Sequence, residues 1–63
     1  MRTFSCFTTD EGSSTPTLSF ILADTEHRAR ALAHRELMDA RRPVSVEVCE
    51  GGQLLWVETV ARD

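Results

Sequence analysis

Lysine is absent from this chain: all seven basic residues are arginines, set against ten acidic ones for a net charge of −3. With a pI near 5.2, that balance argues against wholesale binding to phosphate backbones. Cysteine is scarce, with only Cys6 and Cys49, and the sequence has no CxxC pair and no Cys/His cluster at zinc spacing. Long apolar runs are missing, so no segment reads as a bilayer span. The opening Met1-Arg2-Thr3-Phe4-Ser5-Cys6-Phe7 lacks an apolar core and a small-residue cleavage site, so no secretion signal is expected. A cytoplasmic setting with reduced thiols is the resulting expectation. Gly51-Gly52 has no strand–GxxxxGK–helix context and is no phosphate cradle. Asp10-Glu11 offers adjacent acids where calcium needs spaced oxygen ligands. No catalytic constellation emerges, and neither cofactor nor metal is expected.

What is present is one helix between two pairs of strand-like runs. Sixty-three residues make one domain, 1–63, near the small end of what folds alone, so burying surface in a partner would help it. The helical stretch runs from Asp24 to Ala40. Asp24 or Thr25 can cap its first turn, because a short side-chain oxygen accepts from a backbone N–H that lacks an intrahelical partner. Glu26 suits the positive end of the macrodipole and Arg41-Arg42 the negative end. Pro43 then stops the helix, having no N–H and pushing Arg42 out of the helical region. At about 100° per residue, Ala29, Leu32, Ala33, Leu37 and Ala40 share one stripe, with Glu36 stretched at its margin.

Period-two alternation marks the strands. The first is Thr3–Thr8, with Phe4 and Cys6 inward and Phe7 outward. A polar loop, Thr9 to Pro16, follows. The second strand is Thr17–Ala23, where Leu18, Phe20 and Leu22 form the dominant apolar set and are expected against the helix, leaving Ile21 outward. Val44–Glu50 and Gln53–Thr59 flank Gly51-Gly52, two residues able to take the positive φ angles of a tight hairpin turn. Continued without interruption, that register pairs Val48 with Leu55 and Val46 with Val57 on the helix side, and Cys49 with Leu54 and Glu47 with Trp56 on the other. Ala61-Arg62-Asp63 is expected to fray. A right-handed crossover between strands two and three, with strand one between them, gives an antiparallel sheet in the order 2-1-3-4. The fold class is therefore α+β: a two-layer ββαββ domain with one helix on one sheet face.

The second sheet face then carries Phe7, Ile21, Cys49, Leu54 and Trp56, more apolar surface than a wet face needs. These five are the candidate interface. The helix presents Arg28, Arg30, Arg35, Arg41 and Arg42, a possible basic face, yet Asp24–Arg28, Glu26–Arg30 and Arg35–Asp39 are all i,i+4 pairs. That interleaving describes a self-neutralised helix better than a nucleic-acid footprint. His27 and His34 stand two turns apart without a ligand set between them, so a solvated polar face is the simpler reading.

Small tautomerases use an N-terminal proline as base, whereas this chain begins Met1-Arg2. Ubiquitin-like sulfur carriers end in Gly-Gly, whereas this one ends Ala61-Arg62-Asp63. An aromatic first strand, Asp24-Thr25-Glu26 opening an Ala-rich helix, then Val46-Glu47-Val48 and Gly51-Gly52-Gln53-Leu54-Leu55, together resemble small uncharacterised bacterial ββαββ proteins of the domain-of-unknown-function type. The resemblance spans nearly the whole chain and implies architecture and a bacterial source. It transfers no active site. The expected function is a non-enzymatic, homodimeric interaction or regulatory module, binding itself or another protein through the open sheet face. Extension through an edge strand, most plausibly the fourth, is the other route to a dimer. The alternative is a nucleic-acid-associated protein using the arginine face.

Overall fold

A computed structural model describes residues 1–12 and 14–60. The elements follow the order β1 (Arg2–Asp10), β2 (Thr17–Ala23), α1 (Glu26–Asp39), β3 (Pro43–Glu50) and β4 (Gln53–Thr59). The sheet order is β2-β1-β3-β4, antiparallel at each adjacent pair, with α1 on one side. The ββαββ plan and strand order read from the sequence are those of the molecule. The expected frayed end, 61–63, lies outside the described residues, as does residue 13 of the first loop.

Local chemistry accounts for each boundary. Thr25, in an extended conformation, caps α1: its Oγ1 accepts from the Arg28 N–H at 3.1 Å. Ala40 ends the helix, its N–H reaching back to the Leu37 carbonyl at 3.2 Å. Arg41 and Arg42 lie beyond the last turn, which holds no basic residue. Pro43 opens β3, the first strand position being one a proline tolerates. Gly51 and Gly52 adopt φ of 58° and 81°, the left-handed pair that a two-residue hairpin turn requires.

Asp10 ties the two ends of the molecule's loops together. Its Oδ1 accepts from the Gly12 N–H at 2.7 Å and its Oδ2 from the Arg42 N–H at 2.9 Å. Those donors, Arg42 before Gly12, hold the Asp10 carboxyl below the usual carboxylate range. The β1–β2 loop is thereby fastened to the α1–β3 connection, reinforced by the Glu11 N–H on the Arg42 carbonyl at 3.0 Å.

The core lies between α1 and the sheet: Phe4 and Cys6 from β1, Ile21 and Ala23 from β2, Ala29, Ala33 and Leu37 from α1, Val46 and Val48 from β3. Two expectations about facing are corrected here. In β2 it is Ile21 and Ala23 that are buried, while Leu18, Phe20 and Leu22 are 50%, 66% and 61% exposed. The inward set is chosen by pairing with β1, which places Ile21 beside Phe4 and Ser19 beside Cys6. The two-residue connection Asp24-Thr25 then leads into α1, and Ala23 and Ala29 are both almost fully buried in the shared core.

The second correction is in β4. Cys49 pairs with Leu54 as expected, but the register shifts and Val48 pairs with Trp56. Leu55 is the extra residue of a β-bulge, which lets Leu55 and Trp56 both pack against the core. Every later side chain of β4 changes face, so Val57 pairs with Glu47 and Glu58 with Val46. Trp56 therefore belongs to the helix side. Its ring lies 6.4 Å from that of Phe4, and the Arg30 guanidinium sits 4.4 Å from its centroid.

Candidate functional site

The sheet face away from α1 is the most distinctive surface of the molecule. On β2, the edge strand, it presents Leu18, Phe20 and Leu22 in an unbroken row. Phe7 of β1 stands directly beside Leu18 on one side and Glu47 of β3 on the other. Cys49 pairs with Leu54, and Glu47 with Val57. Leu54 is 53% and Val57 48% exposed, whereas Phe7 and Cys49 are half-buried among their neighbours. The remaining positions are Thr and Ser: Thr3, Ser5 and Thr9 of β1, Ser45 of β3, Thr59 of β4. Glu47, near the centre, is the one charged residue among these strand positions.

Of the five candidate interface residues, the structure brings Phe7, Cys49 and Leu54 together on this face. Ile21 and Trp56 lie on the opposite side, in or against the core. The residues that sequence reasoning missed are Leu18, Phe20, Leu22 and Val57. Their alternation was legible; which way it faced was not.

Arg30 is engaged by Trp56 and, at 3.7 Å, by Glu26, the one helical i,i+4 ion pair formed among the described residues. Arg28 and Arg35 are exposed on α1, and Arg41 and Arg42 are exposed in the connection to β3. His34 Nδ1 lies 2.6 Å from Glu58 Oε2 on β4, a contact across 24 residues that only the bulge makes possible. His27 is exposed. Arg2 grips Glu50 in a two-pronged contact at 2.8 and 2.7 Å while lying over the Phe4 ring, and its hydrogen bonds hold the Glu50 carboxyl below its usual range. That pair closes one end of the core.

A shallow cleft of about 290 Å³ opens beside the last turns of α1, lined by Thr8, Asp10, Thr17, Glu36, Asp39 and Ala40. Asp10 is already committed to two backbone donors there, while Glu36 and Asp39 are exposed. Glu36 also contributes to the Cys6 thiol, which burial above all pushes up to about 11. Cys6 and Cys49 are both free, on opposite sides of the sheet. No helix among the described residues is long and apolar enough to cross a membrane. No family model matches the chain, and neither a curated protein nor a solved structure matches it.

Proposed function

We propose that the chain is a non-enzymatic module that acts by binding, working as a homodimer through the open face of its sheet. The observation that carries this is the face itself: five large apolar side chains about half exposed or more, with a single charge among them. Scattered surface apolars are ordinary, but two exposed apolar rows on one face, Leu18, Phe20 and Leu22 of β2 and Leu54 and Val57 of β4, with the half-buried Phe7 and Cys49 between them, favour a contact surface. The size is adequate. Four strands about 4.8 Å apart and seven residues long at about 3.3 Å each make a face of roughly 440 Å² in flat projection. Two such faces approach the roughly 1,000 Å² that a specific interface needs, before side-chain relief is counted.

The absence of chemistry from this face supports a binding role. The groups that could act as acid or base are dispersed, with His34 held by Glu58 and Glu36 exposed at the cleft beside the last turns of α1. A reducing, cytoplasmic setting belongs to the same reading, supported by two unpaired thiols. Sedimentation equilibrium tests it. The wild type is expected to self-associate at micromolar concentration, and Leu54→Lys, which places a charge on the face at a site exposed in the protomer, is expected to weaken association at least about tenfold. A wild type that stays monomeric to about 1 mM, or a Leu54→Lys chain that associates as well as wild type, would overturn it.

A further inference from the structure

The two edges of the sheet are not equivalent. β4 is guarded: it carries the bulge at Leu55 and the charge of Glu58, and Arg30 and His34 reach over it from α1. These are the devices by which sheets avoid edge-to-edge pairing. β2 has none of them. From Thr15 to Ala23 there is no charged residue, and the Pro16 in that stretch precedes the strand. Its seven residues pair with β1 in unbroken register, so the strand is straight and its outer edge is regular.

We propose that β2 is a second self-association surface, through which two copies pair their β2 strands antiparallel about a two-fold axis at Phe20. The register sets Phe20 against Phe20 of the other copy and Leu18 against Leu22. Leu18, Phe20 and Leu22 all lie on the open face, so the apolar rows of the two copies merge into one across an eight-stranded sheet. Nothing charged meets like charge along the seam. A second copy is the occupant because the segment is complementary to itself in this orientation and its apolar row is continuous with the open face. Edge pairing and face pairing use different two-fold axes. Together they close a four-chain assembly, two eight-stranded sheets face to face with the helices outside. The four-chain size rests on the face pairing proposed above; the β2 seam does not.

Cysteine cross-linking reads the register directly. In a Cys49→Ser background, which leaves only the buried Cys6, the variants Phe20→Cys, Leu22→Cys and Leu18→Cys are oxidised with diamide and weighed without reduction. Directly opposed residues stand about 4.5–5.5 Å apart at Cβ, close to what a disulfide needs. Two copies of residue 22 stand about 14 Å apart in this register. Phe20→Cys is therefore expected to form a covalent dimer at least about tenfold faster than Leu22→Cys, and an equimolar mixture of Leu18→Cys and Leu22→Cys to cross-link between the two variants. Both results are expected to persist when Leu54→Lys is added, while sedimentation of Leu54→Lys falls from four chains to two. If Phe20→Cys fails to cross-link while wild type associates and Leu54→Lys dissociates, the β2 seam is refuted and the face stands. If Phe20→Cys cross-links with the expected register and Leu54→Lys changes nothing, the face is refuted and the seam stands. Leu22→Cys joining to itself as fast as Phe20→Cys refutes the register, and a wild type monomeric at about 1 mM refutes both.

Discussion

Trp56 shows how much a single residue's surroundings decide. Half-buried against Phe4 with Arg30 across its ring, it closes the core where β4 runs beside α1. Trp56→Ala removes ring contacts from a partly exposed site, so a loss of roughly 2–3 kcal/mol is expected, below the range for a fully buried tryptophan. Chemical denaturation measures it. Self-association by the folded variant should change by less than about threefold, since Trp56 is not on the open face. The two thiols differ for a related reason. Cys6 is completely buried and its pKa is pushed up to about 11, whereas Cys49 is half-buried on the open face. A thiol reagent at neutral pH should modify Cys49 first and reach Cys6 only on unfolding. Raising the protein concentration should protect Cys49 as the faces close.

At the scale of elements, what holds the pieces in place is a few contacts between their ends. Asp10 joins the β1–β2 loop to the start of β3 through two backbone donors. Its pKa is lowered in the folded chain, so its contribution is complete above the ordinary carboxylate range and disappears as pH falls through the lowered value. Asp10→Ala should therefore lower the urea midpoint at about pH 6, and the difference from wild type should shrink at about pH 2.5. The same dependence comes from Glu50, held down by Arg2, so Glu50→Gln should show the same convergence. None of these long-range contacts is visible along the chain. Arg2 and Glu50 are 48 residues apart, Asp10 and Arg42 are 32, and no periodic pattern links them.

For the whole molecule, a core of nine buried apolar residues among the described ones leaves one sheet face and one sheet edge uncovered. Small domains gain stability by burying more surface, and a second copy is the nearest source. Unfolding should then be linked to concentration. For dimerisation through the open face alone, the melting temperature should rise by roughly 5 °C for each tenfold increase in protein. Trp56 fluorescence should be blue-shifted by the core of its own protomer and stay constant across the same range. A melting temperature independent of concentration would leave the open face unpartnered by this chain.

The elements and their order were legible because their signals are local. Thr25 caps, Pro43 opens the next strand, Gly51-Gly52 turns, and the 2.0 and 3.6 periodicities set strand from helix. The antiparallel order 2-1-3-4 then follows from short connections and one crossover. The surface each strand shows was settled elsewhere. A strand's alternation identifies two sets of side chains without saying which is inward, and in β2 the more hydrophobic set, Leu18, Phe20 and Leu22, ended outside. Pairing with β1, which sets Ile21 beside the inward Phe4, chose Ile21 and Ala23 instead. In β4 one extra residue at Leu55 turned Trp56 inward and Val57 outward. Because side chains alternate with a period of two, a displacement of one residue exchanges the faces completely, and only the assembled sheet determines whether it occurs.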